Sequence, residues 1–209
     1  MSTVEIAPPL LEYPAPTRIG PDHNGMLMTP EEFDAIEDAD DDCRYELVRG
    51  VLIVSPPADF GELKPNDVLG HWLQSFQEGN PQGNSLDDTC NEVTLKTRTG
   101  RRRADRGVWC GLGRDPDYRN DIPAIAIEFV AERARDWRRD HIEKRGEYAE
   151  IGVQEYWVID RFRRIMTVYR GASEERVVKE SESYTTDLLP GFELNLKRLL
   201  EIADRSAKN

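Results

Sequence analysis

Two spacings of apolar residues divide the chain into helices and strands. Residues 67–77 carry apolar side chains three and four positions apart, which predicts a helix with one apolar face. Residues 123–130 are almost continuously apolar, which is typical of a central strand covered on both faces. Two short apolar segments, 45–48 and 51–54, flank Arg49-Gly50 and predict a β-hairpin.

The remaining pattern completes a mixed domain. Thr29 followed by Pro30 and two acids predicts the start of a helix. A second helix is expected over 136–151, and a closing helix over 196–203. Further strands are predicted over 92–98, 103–110, 155–160, 165–170 and 176–180. This order of elements indicates an α/β or α+β fold, with a mixed sheet flanked by helices.

The length of 209 residues favours a single domain. Residues 1–25 contain five prolines and no periodicity, so we expect an irregular tail there and one folded domain over 26–205. No apolar run approaches the roughly 18 residues that span a bilayer. The N-terminus also lacks the basic and apolar regions of a secretory signal. The sequence therefore predicts a cytoplasmic protein with no membrane partner.

Charge is distributed unevenly along the chain. There are 28 basic and 40 acidic residues, and the net charge of −12 argues against a general nucleic-acid coat protein. Residues 31–42 contribute eight acids and no base. The basic residues gather in two clusters, Arg98, Arg101, Arg102, Arg103 and Arg106, then Arg133, Arg135, Arg138, Arg139, Lys144 and Arg145. Either cluster suits phosphate binding, and either also suits a solvated surface.

Several common motifs are absent from the sequence. It has no GxGxxG after a strand, no GxxxxGK[ST], no HExxH and no GxSxG. The three cysteines are widely spaced and include no CxxC pair. A disulfide framework and a cysteine zinc site are therefore both disfavoured.

Three charged residues stand out by their positions. Glu128 interrupts the most apolar strand, where an unpaired charge is costly. Asp105 lies between arginines in another predicted strand. Lys144 shares a helical face with the aromatic Tyr148, so its side chain is expected to point toward the sheet. Each also has a simpler interpretation. Glu128 could be a carboxylate near the end of the strand that contacts water or an arginine. Asp105 could belong to a surface ion pair. Lys144 could form an ion pair with Asp140 at the margin of the helix.

Taken together, the aspartate, the glutamate and the lysine suit metal-assisted hydrolysis. Two carboxylates can hold a hard divalent cation such as Mg²⁺ through oxygen ligands. The metal lowers the pKa of a bound water and neutralises charge on a phosphate. A lysine beside it orients that water or stabilises the charge that develops in the transition state.

Short segments with these residues recur in a known order. They are 28–33 (MTPEEF), 44–50 (RYELVRG), 55–57 (SPP), 102–105 (RRAD), 126–130 (AIEFV), 140–144 (DHIEK), 148–160 (YAEIGVQEYWVID) and 189–194 (LPGFEL). Through them, residues 28–203 resemble the Uma-type family of restriction endonucleases within the PD-(D/E)XK nuclease superfamily. The resemblance implies a restriction endonuclease-like core and a Mg²⁺-dependent endonuclease, a hydrolase that acts on DNA.

The resemblance also implies roles for individual residues. Asp105 and Glu128 take the places of the motif's two acids, and the main-chain carbonyl of Phe129 is a further ligand of Mg²⁺, for which Mn²⁺ can substitute. Lys144 takes the role of the motif lysine, which in this family stands on the following helix. Two further family acids near the site are Glu46 and Asp140. The arginines expected to follow the DNA backbone are Arg101, Arg102, Arg103 and Arg106.

Three positions depart from the family pattern. Ala104 replaces the motif proline, Ala131-Glu132-Arg133 replaces a Ser-Pro-Ser, and Phe60-Gly61 stands where a histidine–glycine pair is expected. None of these changes removes an implied metal ligand, so the sequence favours an active enzyme, and a homodimer would suit cleavage of both strands. Two rival hypotheses stay open. One is a catalytically inactive nucleic-acid-binding or accessory module on the same fold, and the other is a structural domain held by a buried ion-pair network.

Overall fold

The computed structural model describes residues 18–130, 139–171 and 173–208, and the backbone alone of residues 139–141. The strands are β1 (Arg18–Ile19), β2 (Asp38–Ala39), β3 (Arg44–Val48), β4 (Val51–Ser55), β5 (Leu86–Thr97), β6 (Gly100–Cys110), β7 (Ile125–Phe129), β8 (Glu155–Asp160), β9 (Ile165–Arg170), β10 (Glu174–Lys179), β11 (Ser183–Tyr184) and β12 (Leu194–Asn195). The helices are α1 (Pro30–Asp34), α2 (Phe60–Gly79), α3 (Arg145–Ile151) and α4 (Leu196–Ser206). A π-helical turn, Arg139–Lys144, leads into α3, and 3₁₀ turns form at Pro21–His23 and Gly83–Ser85.

Within these residues the main sheet has eight strands, in the order β10-β9-β8-β7-β6-β3-β4, with β5 paired to β6. Strands β7 and β8 are parallel, and the other neighbours are antiparallel. The small pairs β1–β2 and β11–β12 lie outside this sheet. The predicted mixed sheet flanked by helices is therefore confirmed.

Helices cover both faces of the sheet. On one face, Leu69 and Leu73 of α2 and Leu199 of α4 pack with Trp157 of β8. On the other face, Tyr148 of α3 packs against buried residues of β7 and β8. Every residue of β7 is buried, which confirms the prediction of a central strand covered on both sides. No helix in the described part of the chain is long and apolar enough to cross a membrane.

Several elements begin or end where the pattern did not place them. Helix α2 starts at Phe60 rather than at 67, because Asp59 caps it by accepting the Glu62 N–H, and Pro65 lies within it. The hairpin turn forms as predicted, with positive φ at Arg49 and Gly50. The expected helix over 136–151 is π-helical over Arg139–Lys144, and residues 136–138 lie outside the described residues.

The boundary of the expected tail also differs. Residues 1–17 lie outside the described residues, but Arg18–Ile19 pairs with Asp38–Ala39. The Ile19 side chain is buried in a small cluster with Leu47 and Leu52. The folded domain thus begins before residue 26.

The two edges of β6 are occupied differently. Strand β5 runs along one edge from Gly100 to Cys110. On the other edge, Arg101 pairs with β3, and Arg106–Val108 pairs with β7. On this second edge, residues 102–105 lie between the two pairings and pair with no strand of the described chain. This gap in the sheet is the place where charged side chains from several elements meet.

Candidate metal and catalytic centre

The three candidate residues come together at the gap beside β6. Lys144, from the π-helical turn, donates to Glu128 Oε1 of β7 at 2.7 Å and to the Arg103 carbonyl of β6 at 2.8 Å. The Phe129 N–H donates to Asp105 Oδ2 at 2.8 Å. The aspartate, glutamate and lysine therefore face one another, although 39 residues separate the first from the last.

Lys144 is buried to 2% exposure, which confirms that it points inward. Its Nζ lies 3.4 Å from Glu46 Oε1, and the same oxygen accepts the Arg103 N–H at 3.0 Å. Tyr148, one helical turn beyond Lys144, donates its hydroxyl to Glu128 Oε1 at 3.2 Å. Glu46 thus belongs to the same cluster. The side chain of Asp140, the other expected accessory acid, lies outside the described residues.

Asp105 is a buried carboxylate with cationic neighbours. Burial raises its pKa, while Arg44, the Phe129 amide and Lys144 oppose this rise. Arg44 Nη2 lies 3.3 Å from Asp105 Oδ1 and also pairs with Glu92. The ionised form of Asp105 therefore depends on the cations around it.

Four neighbours of this cluster were not singled out from the sequence: Arg44, Glu62, Glu92 and Tyr148. Arg44 and Tyr148 lie inside matched segments, but their pattern predicts only a hairpin strand and an apolar helix face. Glu62 falls before the predicted start of α2, and in the structure its N–H meets the capping Asp59. Glu92 has a φ of 55°, which is rare for a non-glycine residue and gives no signal in the sequence.

Glu62 adds a second perturbed acid beside Arg44. Burial and the carboxylates of Asp105 and Asp59 raise its pKa to about 8, although Arg44 lies 3.8 Å away and favours the charged form. Arg44 is shared with Glu92 and Asp105, so its charge only partly offsets the rise in the pKa of Glu62. Glu62 therefore carries a proton in the folded chain over a range where the unfolded chain has lost it.

We expect Glu62→Gln to stabilise the protein at alkaline pH and to have little effect near pH 5. In the folded protein Glu62 holds its proton up to about pH 8. The free energy of unfolding of the wild type therefore falls as the pH rises from about 4.5 to 8, by about 5 kcal/mol at most. Urea denaturation of the wild type and of Glu62→Gln, at both ends of this pH window, measures the two free energies of unfolding and tests the prediction. Equal pH dependence in the two proteins would contradict the raised pKa.

Arg101, Arg102 and Arg106 of the first basic cluster are not exposed, although phosphate binding and a solvated surface both require exposed side chains. Arg102 is 1% exposed and binds Glu147 at 2.9 Å, and Arg101 is buried against Asp34 at 2.6 Å. Arg106 is buried as well, and burial lowers its pKa. Arg103 is half-buried and paired with Glu92. The expectation of an exposed cluster is thus wrong for Arg101, Arg102 and Arg106, because acids and polar groups of the fold bind them. A role in DNA binding stays a prediction for Arg101, Arg102 and Arg103, whereas the hydrogen bonds of Arg106 inside the fold favour a structural role for that arginine.

Arg106→Met tests whether that arginine is structural. Its guanidinium donates to Asn66 Oδ1 at 2.7 Å, Thr89 Oγ1 at 3.0 Å and the Asn66 carbonyl at 3.0 Å. Leaving these acceptors unsatisfied should lower the free energy of unfolding by about 2–4 kcal/mol. The salt dependence of DNA affinity should stay the same, whereas loss of one phosphate contact would reduce its slope by about 1. Arg98→Met, at an exposed position, is the matched control for stability.

The donor set at the gap fits a hard divalent cation. Asp105 and Glu128 supply carboxylate oxygens from adjacent strands. The N–H and C=O groups of an extended residue point to the same edge of its strand. The Phe129 N–H donates to Asp105, so the Phe129 carbonyl is directed toward the same side of β7. No group of three His, Cys, Asp or Glu side chains among the described residues is arranged to hold a metal ion. Main-chain oxygen, water or phosphate would therefore complete a shell that begins with two carboxylates.

Comparison with known proteins shows the family of this chain. A model of the Uma2 family, described as "Putative restriction endonuclease", matches residues 30–197. The chain belongs to the Uma2 family. The resemblance found in the sequence is thus confirmed, and the gap beside β6 lies within the matched residues. A comparison with curated proteins finds no match.

A solved structure shows the same fold. It is the crystal structure of a "putative nuclease belonging to DUF820" from Anabaena variabilis ATCC 29413, with a TM-score of 0.68 and 16% identity. The match covers 84% of this Uma2 chain and 99% of that one. The restriction endonuclease-like fold expected from the sequence therefore agrees with both comparisons.

Proposed function

We propose that this chain is a Mg²⁺-dependent endonuclease that hydrolyses phosphodiester bonds of DNA. The observation that carries the proposal is the meeting of Asp105, Glu128 and Lys144 at one gap in the sheet of an Uma2-family chain. Three different elements contribute them, and all three side chains are buried. A cluster of charges this costly to bury supports a chemical role.

The cation would be held by Asp105, Glu128 and the Phe129 carbonyl, with Mn²⁺ as a substitute. When bound, it supplies Lewis acidity for the attack of water on phosphorus and balances charge on the phosphate. The Phe129 N–H fixes the orientation of the Asp105 carboxylate, and Tyr148 does the same for Glu128. These hydrogen bonds keep the two acids in place before any ligand arrives.

Lys144 would act on the reacting groups from the helix side. Its ammonium is held by Glu128, Glu46 and the Arg103 carbonyl, which fix its position. A positioned cation here orients the attacking water or stabilises negative charge on the phosphate in the transition state. Arg44 is a second cation within reach of Asp105.

Nicking of circular DNA tests the proposal. Supercoiled plasmid and circular single-stranded DNA are incubated with the protein in Mg²⁺, Mn²⁺ or EDTA. We expect cleavage with either metal, none in EDTA and none with Asp105→Asn. Salt-dependent DNA binding without cleavage would instead support an inactive binding module. A homodimer, needed if one complex cuts both strands, stays a prediction.

A further inference from the structure

Two exposed phenylalanines lie on the surface beside the candidate site. Phe60, the first residue of α2, is 65% exposed, and Phe162, in the turn after β8, is 45% exposed. Leu63, nearly one turn along α2 from Phe60, is also exposed. Exposed apolar side chains indicate an interaction site when several of them adjoin, and these two rings lie outside the hydrophobic clusters of the core.

Arg161 joins the two rings into one surface. Its guanidinium lies 4.4 Å from the centre of the Phe162 ring. A Cβ atom at Gly61 would lie 3.0 Å from the same guanidinium, so Arg161 packs directly on the backbone next to Phe60. Asp59 binds Arg161 at 3.4 Å from the other side. We call Phe60, Arg161 and Phe162 the aromatic platform.

The aromatic platform adjoins the end of the strand that carries the site. Gly61 and Arg161 line a small cavity together with Phe129 and Val130, which end β7. Glu62, two residues after Phe60, reaches Arg44 and through it Asp105. The platform thus adjoins the C-terminal end of β7, the strand that carries Glu128 and Phe129.

The surroundings of the platform favour an anionic, aromatic ligand. Lys64 and Lys208 are exposed beside it, since Lys64 follows Phe60 on α2 and the last turn of α4 contacts Gly61 through Ala207. Arg163, next to Phe162, has a side chain that is 57% exposed and pairs with the buried Asp160 at 3.8 Å. The arginines of β6 are instead bound inside the fold.

We infer that the aromatic platform stacks the unpaired bases of single-stranded DNA and presents that strand to the site. This inference rests on the proposed function. Base stacking on aromatic side chains is tolerant of sequence, because every base has a π face, and cations beside the rings hold the backbone. Bases inside a duplex are already stacked and paired, so two exposed rings favour an unpaired strand.

Binding measurements with two oligonucleotides test this inference. Fluorescence anisotropy in EDTA, where metal-dependent cleavage is stopped, compares a single strand of about 15 nucleotides with a hairpin duplex of the same sequence. Phe60→Ala and Phe162→Ala should each weaken single-strand binding roughly five- to hundredfold and leave duplex binding within about twofold. Both sites are exposed, so folding is not at risk. Val177→Ala, an exposed apolar position on β10, is the matched control and should change neither affinity.

A tryptophan at the first position gives an independent readout. Phe60→Trp should keep single-strand affinity near wild type, and its added fluorescence should be quenched by the single strand but not by the hairpin. Unchanged single-strand affinity in both alanine variants would overturn the inference. A change in self-association alone, with DNA affinity unchanged, would also overturn the inference, because the platform would then be an interface between copies of this chain.

Wild-type cleavage in Mg²⁺ separates this inference from the proposed function. Cleavage that persists while both alanine variants bind normally would overturn the platform alone. Loss of single-strand binding in the variants, in a protein that never cleaves, would support the platform as a binding surface and contradict the nuclease proposal.

Discussion

Glu128→Gln is expected to reduce DNA cleavage by about three orders of magnitude or more while the fold is retained. Glutamine keeps the shape of the side chain but removes the charge that would hold the cation. Metal ions supply several kcal/mol of transition-state stabilisation, and about 4 kcal/mol corresponds to a thousandfold in rate. Lys144 keeps the Arg103 carbonyl and Glu46 as partners in this variant.

The control for this substitution is Glu150→Gln on the same side of the molecule. Glu150 lies on α3 and its side chain is 53% exposed. Its replacement should leave cleavage unchanged, and circular dichroism with thermal unfolding should show that both variants are folded. Wild-type cleavage rates for Glu128→Gln in a clean preparation would remove Glu128 from the mechanism.

Lys144→Met should lower cleavage by about 10²–10³-fold and also destabilise the fold. The first effect follows because a positioned donor of this kind contributes that much to rate. The second follows because Glu128 and Glu46 are left buried without their shared cation, which costs about 3–5 kcal/mol. Metal affinity should persist, because Lys144 is not a ligand in this account. That pattern distinguishes it from Glu128→Gln, which should lose both metal and cleavage.

Lys179→Met, at an exposed position on β10, is the matched control for loss of a lysine. Urea denaturation measures the stability of each variant, single-turnover kinetics its cleavage rate, and metal titration its affinity for the cation. A variant that is destabilised but cleaves at the wild-type rate would make Lys144 purely structural and would favour the buried ion-pair network.

Two members of the candidate centre were predictable because each breaks a local rule. Glu128 is one acid in an apolar strand, and Lys144 is one cation on the inward face of a helix. Burial forces such residues to find partners, so their convergence follows from pattern and from the family resemblance. The structure brings them together as that reasoning requires.

Other features depend on contacts that no local pattern contains. The sequence suggested a surface cluster for Arg101, Arg102 and Arg106, but partners of these side chains lie on α1, α3 and α2, far away in the sequence. Glu62 was missed because the apolar spacing predicts a helix only from residue 67, whereas the Asp59 cap starts α2 at Phe60. The gap beside β6 arises because β3 and β7 share one edge, which is a property of topology rather than of sequence.

The central claim is that Asp105 and Glu128 hold a divalent cation, and calorimetric titration tests it most directly. Mn²⁺ and Mg²⁺ are titrated into the wild type, Asp105→Asn and Glu128→Gln. We predict binding to the wild type that each substitution removes. Binding that survives both substitutions would contradict it and place the metal elsewhere, with the acidic segment 31–42 as the next site to test.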